Sequence, residues 1–199
     1  MPKIVDSDEY RKKLLHKAFD LLAEKGYSKV TTRQLSKELG ISTGAMYHYF
    51  PSKQALFENL VEELCQQDVI ALQAQVATGD TLADRLKRLG QVLINHETYL
   101  VKQIAVWVDF CTTVEADEIL NNAVFDQVEE RYWEAIAQAL KLHDQTLVQF
   151  IWTLISGLLM EQVGGLSRVH FAEQVNLLVD MLTVYLEARL PAEPFNKKG

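Results

Sequence analysis

The stretch Thr31–Lys53, TTRQLSKELGISTGAMYHYFPSK, decides how this chain is read. Thr31 can accept from the third amide of a helix while Gln34 reaches back to the Thr31 N–H, the reciprocal pairing of a capping box. Val30 and Leu35 stand where a hydrophobic staple forms across such a start. Leu35 and Leu39 give the short helix one apolar face, and Gly40 sits where a left-handed cap ends it. Ser42 then caps a second short helix, and Pro51 holds Phe50 in extended geometry and stops it. Two brief helices joined by a tight glycine turn make a helix-turn-helix, whose second helix is built to enter the major groove of DNA.

With that second helix over Thr43–Tyr49, Met46 and Phe50 fall one turn apart and are expected to pack on Leu35, Leu39 and Phe19. Gly44 and His48 then face outward, Thr43 and Tyr47 flank the groove, and Tyr49 lies on the other shoulder. A glycine on the outward face permits close backbone approach to a partner, at a cost in helix stability. The rings of Tyr47 and Tyr49 have a second reading, as buttresses of the head. A metal role for His48 is not expected, because no two histidines stand at ligand spacing.

Working outward, the pattern Leu14, Leu15, Ala18, Phe19, Leu22 predicts a first helix over about 8–25, with Gly26 ending it and Tyr27 packing back. Arg11, Lys12, Lys13 and Lys17 near its start form either a phosphate contact or a solvated basic face. A long helix from about Ser52 to Ala77 follows, broken at Thr78-Gly79-Asp80. Further helices are predicted over about 82–95, 97–113, 116–142, 144–163 and 171–190. The expected class is all-α: a three-helix head, residues 1–52, a helical bundle, 53–190, and a loose tail, 191–199, with about nine helices in total. The 199 residues are 48% hydrophobic and 24% charged, ordinary globular values. Net charge is −7, but residues 1–60 carry +3 and residues 61–199 carry −10, a basic head on an acidic body. Cys65 and Cys111, without CxxC spacing or a secretory signal, read as reduced thiols of a cytoplasmic protein; a redox pair is the alternative. The apolar segment 147–163 is interrupted by Gln149, Thr153, Ser156 and Gly157 and is short for a bilayer span.

The run GISTGAMYHYFPSKQAL, preceded by AFDLLAEKGYSKVTTRQLSKEL, resembles the signature of the TetR (tetracycline-repressor-like) family of bacterial transcription factors. The resemblance covers about Leu14–Leu60. Carried over residue by residue, it implies DNA contacts at Thr32, Arg33, Thr43, Gly44, Tyr47, His48 and Tyr49, and a phosphate-binding lysine at Lys53. The chemistry agrees: hydroxyls and helix-terminal amides suit phosphates, and Arg33 can chelate a guanine or a phosphate. The resemblance also implies a regulator, usually a repressor, that binds a palindromic operator as a homodimer and releases it when a small-molecule effector enters the bundle.

The body offers candidates for both remaining tasks. Leu147, Phe150, Ile151, Leu154, Ile155, Leu158 and Leu159 wrap too much of one helix for a single packed face, and Val175, Leu178, Met181, Leu182, Tyr185 and Leu186 do the same for the next. A dimer seam is expected there, with Phe150, Ile151, Leu154, Leu158, Leu178, Leu182 and Tyr185 as its residues. The core of a monomer is the alternative. Tyr99, Trp107, Phe110, Phe125, Tyr132, Trp133 and Trp152 are the candidate walls of an effector pocket, with Asp109, Cys111, Thr112 and Glu129 as polar handles. Asp109 or Glu129 facing an aromatic box would suit a cationic ligand, and a solvated carboxylate is the other reading of each, so the ligand chemistry stays open. Aromatic residues at helical spacing also read simply as core. No nucleophile elbow, phosphate-cradling glycine loop, HExxH or ExxH pair is present, so no enzyme, cofactor or metal is expected. The competing class is an all-α ligand-binding or enzymatic domain carrying a DNA-binding head.

Overall fold

The computed structural model describes residues 7–165 and 167–189, and the regular structure among them is entirely α-helical. The head is α1 (Ser7–Lys25), α2 (Thr32–Leu39) and α3 (Thr43–Tyr49). From it runs α4 (Lys53–Val76), 24 residues, or about 36 Å at 1.5 Å per residue. The body adds α5 (Leu82–Asn95), α6 (Glu97–Cys111), α7 (Ala116–Leu120), α8 (Ala123–Leu140), α9 (Gln145–Gln162) and α10 (Phe171–Arg189). Among the described residues no helix is long and apolar enough to cross a membrane. The expected tail, 191–199, lies outside the described residues.

One element departs from the sequence reading. A single helix over 116–142 and a count of nine were expected; ten helices are described, because the chain turns at Asn121–Asn122. Asn122 caps α8 by accepting from the Val124 N–H at 3.0 Å, and its amide donates to Glu58 on α4 at 2.7 Å. An Asn side chain that bonds its own backbone competes with helix continuation. Lys141, in left-handed geometry at φ 56°, then ends α8. At the end of α6 the hydroxyls of Thr112 and Thr113 turn back onto the carbonyls of Asp109 and Phe110, which stops that helix at Cys111.

Two apolar clusters hold the fold. The first unites the head with the body: Leu14, Phe19, Leu22, Leu35, Met46 and Phe50 pack with Leu56, Phe57 and Leu60 of α4, Phe110 of α6 and Phe125 of α8. The packing therefore runs without a gap across the boundary expected at residue 52. The second gathers Leu86 and Leu89 of α5, Ile136 and Leu140 of α8, Ile151 and Ile155 of α9, and Val175 and Leu182 of α10. A polar strap also ties α1 to α4. Buried Glu63 accepts from Gln67 and pairs with Lys12 at 3.4 Å and His16 at 3.9 Å, while Arg11 donates to Asn59 and lies over the Phe50 ring.

Candidate nucleic-acid interface and ligand cavity

The helix-turn-helix is built as its caps dictate. The Thr31 hydroxyl accepts from the Gln34 N–H at 3.3 Å, and the Gln34 side chain accepts from the Thr31 N–H at 2.8 Å. Val30 and Leu35, the two ends of the staple, are both buried. Gly40 takes φ 72°, which a side chain would strain, and so reverses the chain between the two helices. Ser42 caps α3 at the Ala45 N–H, 3.0 Å away. Met46 and Phe50 are fully buried beneath α3, so the helix cannot roll about its axis without opening the core.

That anchoring fixes which side chains face out. Thr43, Gly44, Tyr47 and His48 are exposed, as is Arg33 on α2, while Thr32 is half-buried. Tyr49 is half-buried, its ring 5.6 Å from Tyr10 and 5.4 Å from His48, so it supports the face from the side. Lys53 sits at the first turn of α4, half-buried, its ammonium bonded to the Tyr27 carbonyl and 3.9 Å from the Tyr27 ring centre. Burial lowers its pKa, against the opposing pull of Asp109. The Tyr27 phenol is pushed up to about 12 by burial and then by Glu58.

In the body, a half-open cavity of about 340 Å³ lies where the two clusters meet. Of the expected pocket residues it brings together Trp107, Phe125, Glu129, Tyr132 and Trp152, and adds Phe57 and Gln103. Tyr132 stacks on Trp152 with ring centres 4.5 Å apart, and Trp107 meets Phe125 edge-on at 4.9 Å. Burial, and then neighbouring Asp126, push the Glu129 carboxyl above its ordinary value. A smaller cavity of about 110 Å³ adjoins through Gln103, Ile104, Tyr132 and Trp152. Asp68 lies in it, accepting from the Tyr132 hydroxyl at 2.8 Å and from Gln103 at 3.4 Å. Burial raises the Asp68 pKa, against both hydrogen bonds. Asp68 escaped the sequence reading, although an acid followed by Val69 and Ile70 inside a long helix was a signal that could have found it.

Several expected pocket residues lie elsewhere. Phe110 is fully buried in the first cluster, stacked on Phe57 at 4.2 Å. Tyr99 lines the smaller cavity, and Trp133 borders a separate polar hollow with Glu130, His143 and Gln149. Cys111 and Thr112 do not line the main cavity, because the last turn of α6 has passed beyond it. Asp109 is no polar handle for the cavity. Its carboxylate accepts from the Ser28 N–H at 2.7 Å and the Ser28 hydroxyl at 2.9 Å, latching α6 to the turn between α1 and α2. Gly26 in that turn has φ 85°, and a Cβ there would stand 2.9 Å from the Asp109 carboxylate.

The expected seam residues divide in the same way. Ile151, Leu178 and Leu182 are buried in the second cluster, because that side of α9 and α10 is occupied by the chain's own helices. Leu154 and Leu158 are half-buried, and Phe150 and Tyr185 are exposed. Leu177, Met181 and Val184 on α10 continue this exposed apolar face, at 60%, 62% and 71% exposure.

Comparison with known proteins bears on the head first. The sequence model for bacterial regulatory proteins of the tetR family matches residues 14–60. The nucleoid occlusion factor SlmA of Glaesserella parasuis is 52% identical over 44 residues, 22% of each chain. The chain thus spans about a fifth of that curated relative, and 37% of the SlmA of Actinobacillus pleuropneumoniae, at 38% identity. Likeness over the whole molecule is one of fold. A candidate TetR-family transcriptional regulator from Rhodococcus sp. superposes with a TM-score of 0.72 at 18% identity, over 89% of this chain and 98% of that one. A candidate transcriptional regulator from Saccharomonospora viridis, solved in complex with choline, gives 0.67 at 22% identity, over 89% and 97%.

Proposed function

We propose that the chain, whose head matches the model for bacterial regulatory proteins of the tetR family over residues 14–60, is a ligand-responsive repressor of that family. In this reading a homodimer binds a palindromic operator through two copies of α3 and leaves it when a small molecule enters the cavity of the body. The observation that carries the reading is the outward face of α3. Thr43, Gly44, Tyr47 and His48 stand free of the core while Met46 and Phe50 beneath them are fully buried. A rigid helix with exposed hydroxyls, an imidazole and a glycine suits close approach to base edges and phosphates. One head reads half a site, so two-fold symmetry in the protein calls for a palindrome in the DNA. The exposed apolar face of α9 and α10 supports that pairing.

The route from cavity to head supports release. Trp107 lines the cavity, and two residues along the same helix Asp109 holds Ser28 in the turn before the capping box. A ligand that displaces Trp107 shifts α6 and so bears on the latch. Release requires that the ligand prefer the conformation that does not fit DNA. A tenfold preference corresponds to ~1.4 kcal/mol of coupling, and DNA then weakens the ligand by the same factor.

Selection of bound duplexes from a random pool tests the reading, followed by titration of the selected site against salt. A palindrome is expected, with affinity that falls steeply as salt rises. His48→Ala should change the preference at one or two positions, while Lys53→Ala weakens all sequences together. Equal affinity for the selected duplex and its scrambled version at every salt concentration sinks the proposal.

A further inference from the structure

We infer that the cavity between α4, α6, α8 and α9 selects an organic cation with an apolar body, held among aromatic rings beside the carboxylates of Asp126 and Glu129. This deepens the ligand-responsive reading and rests on it.

The walls supply the first argument. Trp107 and Phe125 form one aromatic corner, edge to face at 86°, and Tyr132 and Trp152 form a stacked pair at 17°. Leu60, Leu64, Ile104 and Val128 fill the space between. Such a surface receives an apolar body anywhere and a positive charge over a ring face, where the ring quadrupole attracts it. The volume, about 340 Å³, falls within the range of small-molecule sites, roughly 300–1,000 Å³, and exceeds what a bare ammonium ion needs.

Charge supplies the second. Asp126 and Glu129 line the cavity, and no lysine, arginine or histidine does. They sit three residues apart on α8, on one side of the helix. Some acids elsewhere are already engaged by cations: Glu62 pairs with Arg131, Glu63 with Lys12, Glu38 with Lys25. Neither Asp126 nor Glu129 pairs with a cation or has a side-chain hydrogen bond among the described residues. Both side chains are exposed to solvent at the cavity, and the upward push on the Glu129 carboxyl comes from its partial burial and then from Asp126, effects an incoming cation offsets. An anionic ligand would add a third negative charge to the same half-enclosed space. Asp68, in the adjoining cavity, is already bonded to Tyr132 and Gln103 and leaves the cation to the outer pair.

The experiment uses the intact protein and three probes of one shape. These are 4-phenylbutyl-trimethylammonium, its neutral analogue with a tert-butyl group in place of trimethylammonium, and the chain-matched carboxylate. Calorimetry reads binding, and operator retardation is read separately. The wild type should bind the cation at least tenfold more tightly than the neutral analogue, and the carboxylate most weakly. In the double variant D126N/E129Q, two exposed side chains changed without loss of shape, the cation should weaken about tenfold and the neutral probe less than twofold. Equal binding of cation and neutral probe by the wild type overturns the inference. So does failure of the cation to bind, or a preference that survives the double variant. A cation bound with the expected discrimination, but leaving operator affinity unchanged at saturation, would remove the ligand-responsive reading and leave the cation site standing.

Discussion

In the head, α3 rests on Met46 and Phe50, both fully buried, whereas in the body α9 sets Trp152 and Ser156 beside a cavity of about 340 Å³. Both regions are made of amphipathic helices, yet they treat their apolar faces differently. The head buries Met46 and Phe50 fully and leaves polar side chains outside. The body leaves space within and apolar residues outside, notably Leu177, Met181 and Val184. The difference is the one the proposed function calls for. Reading base edges needs side chains held to a fraction of an ångström, which close packing provides. Accepting a ligand and a second subunit needs apolar surface not yet consumed by the chain itself.

Core truncation offers the most severe way to break this contrast. Phe50→Ala removes a fully buried ring and should cost ~3–5 kcal/mol of stability. Ile104→Ala, at a half-buried position bordering both cavities, should cost no more than about 2 kcal/mol, because it widens space that already exists. Urea unfolding of both variants measures the difference. Equal losses would mean that the cavity walls are as tightly packed as the head.

The outer apolar face gives the next largest effect. Leu177 is 60% exposed, so Leu177→Glu should leave the monomer folded while placing an unpaired charge in the proposed seam. The dimer dissociation constant should rise about a hundredfold, or ~2.7 kcal/mol, with a parallel loss of operator affinity. Sedimentation velocity reads the first and retardation the second. A variant that dimerises like the wild type moves the seam off α10.

The mildest expected effect concerns Asp68. Burial raises its pKa in the folded protein above the ordinary 3.8, so the folded state holds the proton more tightly than the unfolded chain. The stability cost of its charge is full above the raised value. It is relieved as pH falls through that value, and the gain levels off below about 3.8. Asp68→Asn removes this titration. The stability difference, wild type minus variant, should therefore increase as the medium is acidified from neutrality, as thermal unfolding at several pH values would record. A difference that stays flat or decreases would mean that the Tyr132 and Gln103 bonds outweigh burial.

Local signals made the head legible. Thr31, Gln34, Gly40 and Ser42 act through the next few amides, and each does so here as its position in the chain predicts. The outward residues of α3 followed from helical periodicity once Met46 and Phe50 were assigned inward. The body was less legible because its helices are apolar on most sides, and periodicity cannot say which side meets which neighbour. Trp107 and Trp133 looked equivalent as aromatic residues in long helices, yet one lines the cavity and the other a separate hollow. Asp109 looked like a pocket acid, and it bonds instead to Ser28, 81 residues earlier in the chain. Asn121–Asn122 was a local signal, passed over in favour of the apolar pattern on either side.

The sequence by itself determined the all-α class, the helix-turn-helix with its caps, and the face the second helix turns outward, because all three depend on groups within a few residues of one another. Only the tertiary structure decided how the head joins the body, which aromatic residues enclose a cavity, and which apolar residues remain uncovered. These depend on contacts between helices far apart in the chain. There a rotation of one helix by a single residue, about 100°, exchanges a wall for a surface, and only the simultaneous packing of all its neighbours selects one.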